Sequence, residues 1–207
     1  MSNRNTDLLR WARQLYTISQ SGLTYCKNDY DLERYQQLEE ISAEILSNNS
    51  GFSKEEVLES FSLENGYATP KIDVRGAVFR EDKILLIQEL ADGCWAMPGG
   101  WADIGDLPAE TVRREVLEES GYEVSVDKVI AVLDANHINP LEFYHAYKLI
   151  FQCNLVGGQP KTNHETLGVD FFHLNDLPPL STIRTTREML EEAFAHNSDP
   201  NRPAAFD

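Results

Sequence analysis

The 207-residue chain is 42% hydrophobic and 25% charged, a balance that supports a buried core and excludes a disordered polymer. Its 34 acidic residues outnumber 18 basic ones, for a formal charge of -16. A surface that acidic repels nucleic-acid phosphates and anionic lipid, so neither is an expected partner, and a phosphate-ester substrate would need a divalent cation beside it.

From Thr6 to about Phe61 the pattern is helical. Leu8, Leu9, Ala12, Leu15 and Ile18 recur at three- and four-residue steps, with Gly22 as a stop. A second helix is expected over Tyr30–Leu46, with Asp29 as its cap and Leu38, Ile41 and Ile45 on one stripe. A third starts at Ser53, which has Glu56 at capping-box spacing and Phe52 and Val57 at staple positions. These short helices require partners for their apolar stripes. The opening Met1-Ser-Asn-Arg-Asn lacks the apolar run of a signal peptide, and no stretch approaches the roughly 18 apolar residues of a membrane span. Cys26, Cys94 and Cys153 follow no metal-ligand spacing, so a cytoplasmic protein with reduced thiols is expected.

After Asn65-Gly66 and Pro70 the texture changes. Ile72–Phe79 alternates like a strand, Arg80–Lys83 turns, and Ile84–Ile87 returns. Further strands are expected over Glu123–Leu133, His145–Leu155 and Val169–Leu174, with a turn at Gly157-Gly158. A helix fits Pro108–Ser120, with Pro108 in its first turn and Gly121 at its end. A last helix is expected over Thr186–Ala195. The class is α+β. The division is a helical domain over 1–65, a mixed domain over 66–200 and a flexible tail over 201–207.

The chemistry concentrates in Gly99-Gly100-Trp101-Ala102-Asp103-Ile104-Gly105-Asp106 and Arg114-Glu115-Val116-Leu117-Glu118-Glu119-Ser120-Gly121-Tyr122. On a helix, Glu115, Glu118 and Glu119 share a stripe about 100° wide. Like charges so placed weaken a helix, and a hard oxygen-binding cation, Mg²⁺ or Mn²⁺, resolves the conflict. Arg114 stands four residues before Glu118, placed to hold that carboxylate. Ala109, Val112 and Val116 would seat the helix on the sheet. Gly99 and Gly100 admit a close approach of backbone to ligand. Arg75, beside Asp73 on a strand, could reach a diphosphate or pair with a carboxylate. Trp101 could stack on a base or lie under its loop, while Trp95 reads as core.

The spacing from Gly100 to Tyr122 resembles the Nudix box, Gx5Ex7REUxEExGU, departing only where Asp106 replaces the first Glu. The helical N-terminus, the stretch Glu64–Phe79, the Gly-Gly-Trp-Ala-Asp loop and Asn163-His-Glu-Thr166 resemble one branch of that family. This branch comprises Gram-positive hydrolases of nucleoside diphosphates linked to a second group X, and the likeness spans nearly the whole chain. It implies an α/β/α sandwich, Mg²⁺ or Mn²⁺, and a homodimer to which the N-terminal helices contribute.

The resemblance further implies Glu115, Glu118 and Glu119 as metal ligands, and Glu118, Glu119 and Arg114 as catalytic residues. Arg75, Gly99, Gly100, Trp101 and Asp103 become substrate-side residues. Glu165 is the candidate general base, although relatives often carry a second acid where this chain has Gly168; His164 reads as a loop residue. Asp106, one methylene short, fixes its loop or acts through water. CDP-choline or ADP-ribose is the expected substrate, cleaved to a nucleoside monophosphate and a phosphorylated X. The alternatives are an RNA-processing Nudix hydrolase, disfavoured by charge, and a ligand-sensing module, which would predict a damaged acidic triplet.

Overall fold

The computed structural model describes residues 2–62, 66–138 and 145–207, with side chains from residue 7 onward. The chain forms two compact units that part between Pro70 and Lys71. The boundary expected at 65/66 adjoins Glu64 and Asn65, which lie outside the described residues.

The first unit contains α1 (Ser2–Tyr25), α2 (Asp29–Asn49) and α3 (Lys54–Ser62). Gly22 does not stop α1, which runs three residues further; its added Cβ would strike the ring of Tyr35. Asn28, not Asp29, caps α2, its side chain accepting from the Asp31 N–H. The capping box forms as expected. Ser53 Oγ accepts from the Glu56 N–H at 3.2 Å, and Glu56 accepts from the Ser53 N–H at 2.7 Å.

The buried faces differ from the predicted stripes. Leu9, Ala12 and Ser19 of α1 and Ser42, Ala43 and Leu46 of α2 are buried, whereas Leu8, Ile18 and Ile41 are exposed. Small residues decide the outcome, because they let the two helices approach closely; Ser42 Oγ donates to the Ala12 carbonyl at 2.7 Å. Val57 and Phe61 of α3 complete this core, with Tyr16 stacked on Phe61 at 3.6 Å. A second apolar row on α1, comprising Leu8, Trp11 and Ile18, stays in solvent.

The second unit is a mixed sheet between helices. Its elements are β1 (Lys71–Arg80), β2 (Lys83–Glu89), β3 (Trp95–Ala96), α4 (Pro108–Ser120), β4 (Tyr122–Asp134), α5 (Ala135–Ile138), β5 (Ala146–Gly158), β6 (Thr166–Phe172), α6 (Arg187–Ser198) and β7 (Ala205–Phe206). β1 runs parallel to β5, β5 antiparallel to β4, and β4 parallel to β7. β7 corrects the expectation of a free tail, since Ala205 and Phe206 pair with Ala131 and Val132. Gly157 and Gly158 belong to the end of β5, opposite Glu123 and Tyr122, instead of forming an isolated turn.

Strand alternation builds both faces. Val74, Val78 and Leu85 pack with Val112 and Val116 of α4. Ala77, Ile84 and Leu86 pack with Met189, Leu190 and Ala193 of α6. Ala109, expected in the α4 seam, is exposed, and Thr111 is buried there instead. This is the α/β/α sandwich. Among the described residues no helix is long and apolar enough to cross a membrane.

One irregularity positions everything that follows. β6 occupies one edge of β2 over Ile84–Glu89. On the other edge, β1 pairs with β2 only at Phe79–Ile84 and Arg80–Lys83, beside their hairpin. Further along, β3 takes over the β2 edge through Ile87–Ala96 and Gln88–Trp95. The β1 edge is taken by the loop after β3: Gly76 N–H donates to Pro98 O, Val74 N–H to Gly100 O, and Ala102 N–H to Ile72 O, each at 2.9 Å. The Gly-Gly loop thus fills a fork between two splayed strands.

Candidate active site

Seated in that fork, Gly99 has φ +149°, which favours glycine. Its N–H donates to Glu119 Oε2 at 2.8 Å, tying the loop to α4. That helix begins at Pro108 and ends at Gly121, a left-handed cap with φ +75°, as its sequence predicts.

Glu119 is 7% exposed. Burial pushes its carboxyl up to about 8, against the opposing pull of the Gly99 N–H and Arg75, while Glu89 and Glu115 add repulsion. Burial likewise raises Glu115 above the usual carboxylate range, opposed by the Arg114 guanidinium. A wet, unpaired carboxylate group would show no such shifts. Burial thus makes negative charge costly at both Glu119 and Glu115.

Arg114 is a hub rather than the simple partner of Glu118. It reaches Glu115 at 2.8 Å, Asp106 at 3.3 Å, and Glu118 and Asp103 at 3.5 Å each. Glu118 is its loosest helical partner and is half exposed. Asp106 therefore contributes to the loop through Arg114. Among the described residues no three His, Cys, Asp or Glu side chains converge as a ready metal centre. Glu115 and Glu118 instead both lie within reach of Arg114.

Arg75 projects from β1 and is buried. Its Nε and one terminal nitrogen donate to Asp73 at 3.0 and 3.2 Å, and the other to Met97 O at 3.2 Å. Burial opposes its charge, but the Asp73 carboxylate overrides that effect and raises its pKa. Lys148 of β5 also reaches Asp73, from the position directly beside it in the parallel ladder. The structural pairing with Asp73 is formed, and Arg75 also lines a cavity.

That cavity, about 550 Å³, is lined by Arg75, Gly99, Gly100, Trp101, Asp103, Glu115, Glu119, His164 and Glu165, together with Glu89, Leu90, Ala91 and Arg184. Trp101 is 48% exposed, leaving it open for stacking. Trp95 packs edge-on against Phe172 at 4.8 Å, in the core. Glu165 is exposed, but its loop is fixed: its N–H donates to Asn163 Oδ1 and its carbonyl accepts from the Leu90 N–H, both at 2.8 Å. His164 is exposed beside it. A larger concavity of about 870 Å³ between α4 and β4 contains neither Glu115 nor Glu119.

Glu89 and Arg184 were not legible in the sequence. Glu89 ends an apolar strand, is buried, and pairs with Arg184 Nε at 3.0 Å. Their 95-residue separation leaves no local signal.

Comparisons with known proteins match both units of the chain. A model described as a UDP-X-like, N-terminal oligomerisation domain matches residues 6–61, and a NUDIX domain model matches residues 69–193. YjhB of Bacillus subtilis (strain 168), whose name gives ADP-ribose pyrophosphatase as a provisional activity, is 42% identical over 98% of each chain. The crystal structure of a UDP-X diphosphatase matches 98% of this chain and 99% of that one, with 32% identity and a TM-score of 0.63. An ADP-ribose pyrophosphatase from Streptococcus suis 89-1591 is 41% identical over 67% of this chain and 100% of its own, with a TM-score of 0.62.

Proposed function

Because the chain belongs to the Nudix family of hydrolases, we propose that it cleaves the diphosphate bond of a nucleoside diphosphate linked to a second group. ADP-ribose is the leading substrate, giving AMP and ribose 5-phosphate; CDP-choline is the other. One observation carries the reading. A buried Glu119 and its neighbour Glu115 face the strand-borne Arg75 across a single cavity. The names of YjhB and of the Streptococcus suis protein support adenine and ribose.

The donor set suits a hard divalent cation. Its groups are all carboxylates, and the shift on Glu119 marks a carboxyl that would exchange a proton for a metal. Glu115, Glu118 and Glu119 would hold Mg²⁺ or Mn²⁺, with Arg114 yielding Glu118. When bound, the ion neutralises diphosphate charge and acidifies water. The chain supplies the remaining functions. Arg75 binds the diphosphate, with donors beyond those engaged by Asp73 and Met97. The Gly99-Gly100 backbone lets the substrate lie close to the loop, with Asp103 and Trp101 beside it. Glu165 takes the proton of the attacking water, whose oxygen bonds to phosphorus as the bridging oxygen leaves with the other phosphate.

The test is incubation with ADP-ribose, CDP-choline, diadenosine polyphosphates or short RNA and Mg²⁺ or Mn²⁺, followed by chromatography. AMP and ribose 5-phosphate are expected; shortening of RNA alone, or binding without turnover, would replace this reading by one of its alternatives.

The chain is also proposed to act as a homodimer in the cytoplasm. The oligomerisation-domain match supports the dimer, and the exposed row Leu8, Trp11 and Ile18 supplies an apolar seam. Trp11→Glu combined with Ile18→Glu is expected to yield a monomer by light scattering with unchanged helix content. An intact dimer would place the seam elsewhere.

A further inference from the structure

Arg184 is a charged cavity residue to which the preceding reading gives no task. Its segment is stapled to β3. Ser181 N–H donates to Trp95 O at 2.8 Å, Trp95 N–H to Pro179 O at 2.9 Å, and Met97 N–H to Thr185 Oγ1 at 2.9 Å. The side chain is built in as firmly. Nε meets Glu89 at 3.0 Å, and one terminal nitrogen lies 3.1 Å from Ser181 Oγ and 3.5 Å from Asp92. Asp92 is itself held by Ser181 Oγ at 2.7 Å. With the side chain 26% exposed, the guanidinium is clamped along one edge and keeps donors on its other terminal nitrogen.

The charges around the cavity have an order. Asp103 and Asp106 meet Arg114, and Arg114 meets Glu115. Glu119 feels Arg75, Glu89 and Glu115, and Glu89 feels Arg184 most strongly, then Arg75 and Asp92. By contact, Asp103 therefore belongs to the Arg114–Glu115 side of the cavity and Arg184 to its Glu89 side. On the hydrolase reading, a diphosphate at Glu115 and Glu119 would have the exposed indole of Trp101 and the Arg184 guanidinium in the same cavity to receive its two halves. An aromatic face suits a base. A clamped fork of N–H donors suits sugar hydroxyls or a phosphate ester and repels a quaternary ammonium.

We infer that Arg184 is the specificity-determining residue for the X half of the substrate, and that it selects a phosphorylated sugar over a cationic group such as choline. The inference rests on the hydrolase reading for the direction of the substrate, and its test is separable from turnover.

The probes are ribose 5-phosphate and AMP, titrated calorimetrically into the full-length protein with Mg²⁺. Arg184→Gln is expected to weaken ribose 5-phosphate about tenfold, the discrimination typical of a charge-assisted contact, while AMP affinity stays within about twofold. Because Arg184→Gln leaves the buried Glu89 without its cation, Arg184→Lys is the second variant. It keeps the charge and loses the fork, and the same asymmetry is expected at smaller size. Equal losses for both ligands, no loss for either, or no binding of ribose 5-phosphate to the wild type would each overturn the assignment. Asymmetric binding in a protein that leaves ADP-ribose intact would uphold it and sink the hydrolase reading instead.

Discussion

Glu119→Gln is expected to lower turnover on the order of 10²–10³-fold or more, the scale of losing one electrostatic contact to a reacting group, while the fold survives. The substitution is nearly isosteric, and the amide oxygen can still accept from the Gly99 N–H, as Glu119 Oε2 does at 2.8 Å. What it removes is the negative charge at the buried centre of the cavity. Circular dichroism should match the wild type, and calorimetric titration with Mn²⁺ should show lost or greatly weakened binding. A variant with near-wild-type rates would remove Glu119 from the chemistry altogether.

A pH readout checks the same residue without substrate. The Glu119 carboxyl is raised from 4.5 to about 8 in the folded protein, so between those values the folded state holds a proton that the unfolded state has released. Its contribution to metal-free stability is complete below about pH 4.5 and fades as pH rises toward 8. Urea midpoints across that window should therefore fall more steeply with pH for the wild type than for Glu119→Gln. Parallel curves would mean that the folded carboxyl titrates normally.

The second large effect is expected from Gly99→Ala. At φ +149°, a side chain is strained before any clash is considered. The added Cβ would be driven into the Val74 carbonyl oxygen and would stand 2.9 Å from Arg75 Cα. Neither atom can turn aside, because both belong to the backbone of β1. A loss of about 3 kcal/mol is expected from urea unfolding. Activity should fall further than stability accounts for, since the Gly99 N–H also orients Glu119. An unchanged midpoint would show that the loop is not seated between β1 and β2 as described.

These residues show what a linear sequence carries. The α4 helix was readable to its ends because its signals are local: Pro108 opens it, Gly121 closes it, and Val112 and Val116 mark its buried face. The capping box at Ser53 was readable for the same reason. On α1 and α2 the apolar series marked one stripe each, and the buried face was shifted by Ala12, Ser42 and Ala43, whose small size counts only once the helices meet. The Asp73–Lys148 contact depends on a parallel register between strands 75 residues apart. The Glu89–Arg184 pair depends on a loop returning across β3. β3 and β7, two residues each, are too short for any periodicity. Spacing thus exposed the acidic helix, whereas the cations opposite it emerge from topology.

The wedge of backbone between β1 and β2 also limits how such a protein can diversify. Residues 98–102 share their hydrogen bonds with a central strand, so the stretch cannot swing like a lid or accept an insertion without unzipping the sheet. Turnover should therefore vanish together with the fold on warming, not in advance of it. New ligand preferences can arise where side chains border the cavity, at Trp101 and Asp103 and in segments 161–165 and 181–185, while the architecture beneath them stays fixed.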